Sequence, residues 1–179
     1  DSLGDMSFTD AVHQISAAVL SEYPDTGIIL DRADVPDARL PATTVAALVD
    51  ALRQGGANVA KHAPGSSARL SFDLDPDRFT VTLADDGPGF DPAGLSPDRA
   101  GIRVSILGRL DRTPGASAQV HSAPGEGCVI HVVWDRHRPQ PHVDADTGSL
   151  PSVYESMGFS DIFRPGPAVV VWLLFVAMS

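Results

Sequence analysis

Two patterns in series constrain this chain most. From about Ala42 to His62 the apolar residues recur at helical spacing. Directly afterwards, Ala68–Leu74 (ARLSFDL) and Arg78–Ala84 (RFTVTLA) alternate with period two. At 100° per residue, Val45, Leu48, Val49, Leu52, Gly56, Val59 and Ala63 share one stripe, so the helix buries one side only. The two alternating runs, joined by Asp75-Pro76-Asp77, read as an antiparallel hairpin with one buried face. A one-sided helix and a one-sided hairpin need each other, which points to helices packed on a sheet. Gly55-Gly56 inside the helix is unusual, since each Gly costs about 1 kcal/mol relative to Ala. Either a neighbour packs closely there or the helix is locally weak.

The remaining elements extend this plan. Residues 7–22 read as a helix capped by Ser7, with Val12, Ile15, Val19 and Leu20 on one face and Pro24 as its stop. Gly27–Leu30 is a short strand. Residues 36–41 form a loop into the long helix, and 85–98 form a Gly/Pro/Asp-rich loop. Gly101–Leu110 is a helix. Ser117–Ser122 and Cys128–Trp134 are strands joined by Ala123-Pro124-Gly125-Glu126-Gly127. Helices and strands do not alternate strictly, which argues against a doubly wound parallel sheet. The fold expected is an α/β (α+β) two-layer sandwich, with helices on one face of a mixed, mostly antiparallel sheet.

Composition narrows the function. Thirteen Lys and Arg against 23 Asp and Glu leave a net charge of −10, and no basic cluster offers cations to a nucleic acid. A single cysteine, Cys128, excludes an internal disulfide framework and a cysteine-based zinc site. Two Trp, two Tyr and seven Phe are too few for an aromatic binding platform. Residues 1–22 do not resemble a secretory signal. Residues 136–166 are a Pro-rich linker. The uncharged run from Pro167 to Met178 (PAVVVWLLFVAM) is shorter than the ~20 apolar residues of a spanning helix, and 167–179 is read as the truncated start of one.

Chemistry concentrates in three places. Gln54, Asn58, Lys61 and His62 fall at about 180°, 220°, 160° and 260° from Val45, a polar band opposite the stripe. On the helix alone this band reads as a solvated face. Asp85-Asp86-Gly87-Pro88-Gly89-Phe90 follows a strand directly. Its glycines let the backbone approach a flat ligand, and Asp85 can accept from an exocyclic amine. The same residues also make a plain turn. Gly125 and Gly127 are a second glycine pair before the last strand, equally readable as a hairpin turn.

Together these motifs resemble the catalytic and ATP-binding domain of sensor histidine kinases, in the GHKL ATPase superfamily with its Bergerat fold. ANVAKHAPGSSARLSF is similar to the N box of the actinobacterial-type kinases, VTLADDGPGFDP to the first glycine box, and VHSAPGEGCVIHVVW to the last. The resemblance covers residues 27–134, and the domain is read as 25–135. Residues 1–24 then form a helix that could close a dimerisation hairpin.

The resemblance implies ATP and Mg2+ as ligands. Asn58 would hold the metal, and Lys61 and His62 would face the phosphates. Asp85 would accept from the adenine amino group. Gly87, Gly89 and Phe90 would line its pocket, and Gly125 and Gly127 would back it. Arg99, Gly101, Arg103 and Ser105 would sit where the ATP lid meets the next helix, whose first amides can take phosphate charge.

It also implies a histidine kinase whose partners are a phosphoacceptor histidine domain and a response regulator. The whole protein would be a homodimer, with this domain on the cytoplasmic side of a bacterial cell membrane. Several residues depart from the family. Gln54 stands where it has an acid, so the catalytic pair reads Gln54 and Asn58, with Asp50 one turn earlier as a substitute. The lid lacks a clean glycine pair, and Cys128 follows Gly127 in place of Thr. His13 has no acidic neighbour after it and reads as an ordinary helix-face residue. Gln54 and the lid keep open a non-catalytic or weakly active ATP-binding scaffold. An anti-sigma-type protein serine kinase of the same superfamily is the other alternative, against which the N box and the apolar tail argue.

Overall fold

The computed structural model describes residues 4–30, 35–91 and 108–138. Its elements are β1 (Asp5–Ser7), α1 (Phe8–Glu22), β2 (Thr26–Leu30), β3 (Arg39–Pro41), α2 (Ala42–His62), β4 (Ala68–Asp75), β5 (Arg78–Asp85), β6 (Ala116–Ser122) and β7 (Cys128–Asp135). The expected helix over 101–110 lies outside the described residues except for a helical turn at 108–110. The linker from 139 onward and the apolar run also lie outside them. No helix among the described residues is long and apolar enough to cross a membrane.

Ser7 caps α1 as its position suggests: its Oγ accepts from the Asp10 backbone N–H at 3.1 Å and donates to Asp10 Oδ2 at 2.7 Å. Tyr23 ends the helix, its N–H donating to the Val19 carbonyl, and Pro24 prevents another turn. In the last turn of α2, Lys61 and His62 lie at the negative end of the helix dipole.

The main sheet has the order β2-β4-β5-β7-β6. Only β2 and β4 run parallel, with α2 as their crossover. The other three pairings are antiparallel. The mixed, mostly antiparallel sheet with helices on one face therefore stands as expected. Its inner face carries Leu70, Phe72 and Leu74 from β4, Phe79, Val81 and Leu83 from β5, and Ile130, Val132 and Trp134 from β7. Against it pack Phe8, Ile15 and Val19 of α1 and Val45, Leu48 and Leu52 of α2. Phe8 meets Phe79 edge-on with ring centroids 5.1 Å apart, which fixes α1 over the centre of the sheet. The first helix thus shares one core with the rest of the domain.

A small second sheet differs from expectation. β1 pairs antiparallel with β3, so Arg39–Pro41 is a strand rather than loop. The ladder continues as Phe8 N–H donates to the Ala38 carbonyl at 2.9 Å. The Arg39 guanidinium also donates to the Asp5 carbonyl. Three-residue strands are too short to show a period-two pattern.

The Gly55-Gly56 pair proves to be a close packing point on two sides. A Cβ at Gly55 would lie 2.8 Å from the methyl tips of Ile130 and Leu83 on the sheet, and one at Gly56 would lie 3.2 Å from the Val19 carbonyl oxygen on α1. The helix is squeezed between two layers, and the pair relieves both contacts. Gly55→Ala meets only side-chain tips and regains helix propensity, so its stability should stay within about 1 kcal/mol of wild type. Gly56→Leu meets the backbone of α1, must push that helix away as a unit, and should lose about 1–3 kcal/mol. Urea unfolding of the two variants separates them. Equal stability would mean that α1 does not constrain α2.

Candidate functional site

The site forms where β5 ends, at the same end of the sandwich as the end of α2. Asp85 is the last residue of β5 and only 7% exposed. Its Oδ1 accepts the Gly87 backbone N–H at 3.0 Å, so the chain turns back on its own carboxylate. Burial pushes the Asp85 carboxyl above its ordinary value. The charge of neighbouring Asp86 pushes the same way, while the backbone N–H groups of Gly87 and Cys128 oppose. Cys128 pairs with Asp85 across the β5–β7 ladder. Burial, and then the charge of Asp85, push its thiol up to about 12. Cys128 is therefore a neutral, unreactive thiol beside the carboxylate.

The two glycine turns are stitched together. Gly125 N–H donates to the Pro88 carbonyl at 2.7 Å. Phe90 N–H donates to Ser122 Oγ at 2.9 Å, and that hydroxyl donates to the Gly127 carbonyl at 2.6 Å. Gly89 (φ +60°) and Gly127 (φ +78°) sit where these backbones touch. A Cβ at Gly89 would overlap the Ala123 carbonyl oxygen, and one at Gly127 would overlap that of Asp85. Gly87 leaves room for the Ala63 methyl just beyond α2. Gly87, Gly89 and Gly127 thus bring three backbone segments into contact around Asp85. Phe90 is half-buried beside them.

On α2 the polar band is where the spacing puts it. Gln54, Lys61 and His62 are exposed and Asn58 is half-buried. Gln54 Nε2 donates to Asn58 Oδ1 at 3.3 Å, which orients the carboxamide oxygen. That oxygen has two lone pairs, so the bond leaves room for a cation. Asp50, the candidate substitute for the missing acid, is held by Arg109 at 2.6 Å. His13 lies on the exposed side of α1. Arg99, Gly101, Arg103 and Ser105 lie outside the described residues. Among the described residues no group of three or more His, Cys, Asp or Glu could hold a metal ion.

Ser122, Ser67, Asp86 and Tyr23, to which the sequence motifs assign no role, also make bonds around this site. Ser122 was visible within SAPGEG, but its two bonds depend on how the turns approach each other.

No family model matches the chain. A curated relative, an uncharacterized sensor-like histidine kinase of Chloroflexus aurantiacus, is 29% identical over 112 residues, which is 60% of this chain and 19% of the relative. The chain thus spans about a fifth of that protein's length. Among solved structures, the mycobacterial sensor histidine kinase MprB is 19% identical with a TM-score of 0.52, over 74% of this chain and 96% of that one. The catalytic domain of histidine kinase ThkA is 10% identical with a TM-score of 0.55, over 74% and 95%. Full-length ShkA in complex with AMPPNP is 18% identical with a TM-score of 0.57, over 74% of this chain and 31% of that one. The chain has the fold of histidine kinase catalytic domains, as its glycine motifs and Asn58 helix imply.

Proposed function

We propose that this chain is the ATP-binding catalytic domain of a sensor histidine kinase, transferring the γ-phosphate of ATP to a histidine of a dimerisation domain. The observation that carries this reading is the buried Asp85 carboxylate, held by Gly87 N–H at the junction of two glycine turns. A carboxylate kept out of water at a cost is suited to a ligand that brings hydrogen-bond donors, such as the adenine amino group.

The α2 band would serve the other end of the nucleotide. Asn58 Oδ1 is a neutral oxygen ligand of the kind Mg2+ accepts when phosphates and water supply the rest. When bound, Mg2+ would neutralise phosphate charge as it develops. Lys61 and His62 add exposed donors one turn further along. Gln54 can orient water but cannot take a proton, and Asp50 is engaged by Arg109. General acid–base assistance of about 10²–10⁴-fold is therefore withheld from hydrolysis. Attack by a neutral imidazole nitrogen needs less of it, so phosphotransfer survives where hydrolysis is slow. A response regulator, homodimerisation and a membrane tether at residues 167–179 complete the proposal for the whole protein.

Asn58→Ala tests the metal end of this reading. The variant should keep most of its nucleotide affinity but lose the tightening that Mg2+ brings. Titration of an ATP analogue with and without Mg2+ measures both. If Mg2+ tightens binding equally in wild type and variant, Asn58 is not a metal ligand.

A further inference from the structure

Asp86 is an exposed residue between the Asp85 carboxylate and Gly87, and the nucleotide reading gives it nothing to do. Its own bonds run elsewhere. Its Oδ1 accepts the Ser67 backbone N–H at 2.7 Å, and its backbone N–H donates to the Ser67 carbonyl at 3.1 Å. These two bonds splice the loop after β5 to the turn after α2.

One residue earlier, the Ser66 carbonyl accepts from Tyr23 Oη at 2.6 Å, 43 residues away in sequence. Ser66 in turn donates through its Oγ to the Ala63 carbonyl at 2.7 Å. The Tyr23 side chain is buried with Val59, Ala63 and Ala68, in a cluster separate from the main core. Ala63 is also the residue whose methyl fills the space at Gly87. The end of α1, the end of α2, the turn after it and the Asp85 loop are thus joined by one continuous set of contacts.

We infer that Asp86 and Tyr23 are positioning residues of the nucleotide site, which hold the Asp85–Gly87 loop against the end of α2. The inference rests on the nucleotide reading above. Neither residue needs to touch the ligand. A loop that is already seated loses less freedom when the ligand binds, and the difference appears as affinity. The clamp also sets the separation between the Asp85 carboxylate and the Asn58–His62 band, which a nucleotide must span with adenine at one end and phosphates at the other. Asp86 acts here as an acceptor for a backbone N–H, a task that a carboxamide oxygen can also perform. Tyr23 acts through its hydroxyl, while its ring packs.

The test uses the full chain in mild detergent, a non-hydrolysable ATP analogue with Mg2+, and amide hydrogen exchange of the ligand-free protein. Asp86→Ala should weaken analogue binding about tenfold, and Tyr23→Phe about three- to fivefold, because each loses one side-chain bond that seats the loop, from Ser67 N–H to Asp86 Oδ1 or from Tyr23 Oη to the Ser66 carbonyl. Asp86→Asn keeps the acceptor and should return affinity to within about threefold of wild type. The Gly87 amide should exchange faster in Asp86→Ala than in wild type, and as in wild type in Asp86→Asn.

Wild-type affinity in both Asp86→Ala and Tyr23→Phe would overturn the inference. So would an Asp86→Asn variant as weak as Asp86→Ala. If wild type itself fails to bind the analogue, the nucleotide reading falls and this role with it. The exchange data would then show whether a clamp exists that serves no nucleotide.

Discussion

Asp85→Asn should weaken ATP-analogue binding by about 1.5–3 kcal/mol, one to two orders of magnitude, while making the ligand-free domain more stable at neutral pH. The two effects share one cause. The wild-type carboxylate is buried at the end of β5, and burial raises its pKa. The native domain therefore holds that proton to a higher pH than the unfolded chain does. Its contribution to stability is largest below the ordinary carboxylate range and declines as pH rises through the raised value. A carboxamide has no charge to desolvate, and its oxygen can still accept from Gly87 N–H. The variant should lose the decline and unfold at a higher temperature near pH 7.

Binding suffers because a carboxylate accepts at both oxygens, whereas a carboxamide accepts at one atom and donates at the other. With its oxygen occupied by Gly87, the new carboxamide would meet the adenine amino group donor to donor. Thermal unfolding across pH and a fluorescent ATP-analogue titration measure the two halves separately. Equal affinity in wild type and variant would remove adenine recognition from this loop. Gain of stability with loss of ligand is the pattern expected where a site keeps a strained group for function.

Gly127→Ala should be among the most damaging single methyls at the described residues. Its Cβ would overlap the carbonyl oxygen of Asp85 and lie 2.9 Å from the carbonyl carbon. Both partners are backbone, so no rotamer change relieves the contact. The residue also sits at φ +78°, where a side chain alone costs about 1–2 kcal/mol. Together these should destabilise the domain by about 4 kcal/mol or more, a large share of the 5–15 kcal/mol typical of folded domains. Gly125→Ala is the matched comparison. It has nearly the same torsion, φ +83°, but open space around the Cβ position. It should lose only about 1–2 kcal/mol for the torsion itself. Denaturant unfolding of the two variants isolates the packing between the glycine turns. Equal losses would mean that strain alone, and no contact with Asp85, requires a glycine at 127.

The elements legible in the sequence are those long enough to repeat their own pattern. α1 and α2 each run several turns, and β4 and β5 each show at least three alternations. β1 and β3 have three residues each and show none. The stripe on α2 was legible for Val45, Leu48, Leu52 and Val59, but it is wider than one face. Gly55 and Ala51 are also buried because a sheet and a helix press on α2 from different directions. That second contact depends on how the layers stack, which spacing along one helix does not encode.

Within the site, residue types and their order were legible: an asparagine on a helix, an acid before two glycines, and two more glycines before the last strand. The bonds between segments were not. Arg109 reaches Asp50 across 59 positions, and Tyr23 reaches Ser66 across 43. These partners become neighbours only after the chain has folded. The glycines show the same limit. Their motif points to a ligand but does not show that Gly89 and Gly127 also serve backbone-to-backbone packing that seats Asp85.

The measurement that bears most directly on the nucleotide reading is an amide NMR titration of the full chain with a non-hydrolysable ATP analogue and Mg2+. The account predicts saturable shifts concentrated at Asn58–His62, Asp85–Phe90 and Gly125–Cys128, with the outer face of the sheet around Thr82 and His131 unmoved. An absence of saturable shifts at millimolar analogue, or shifts confined to that outer face, would contradict it.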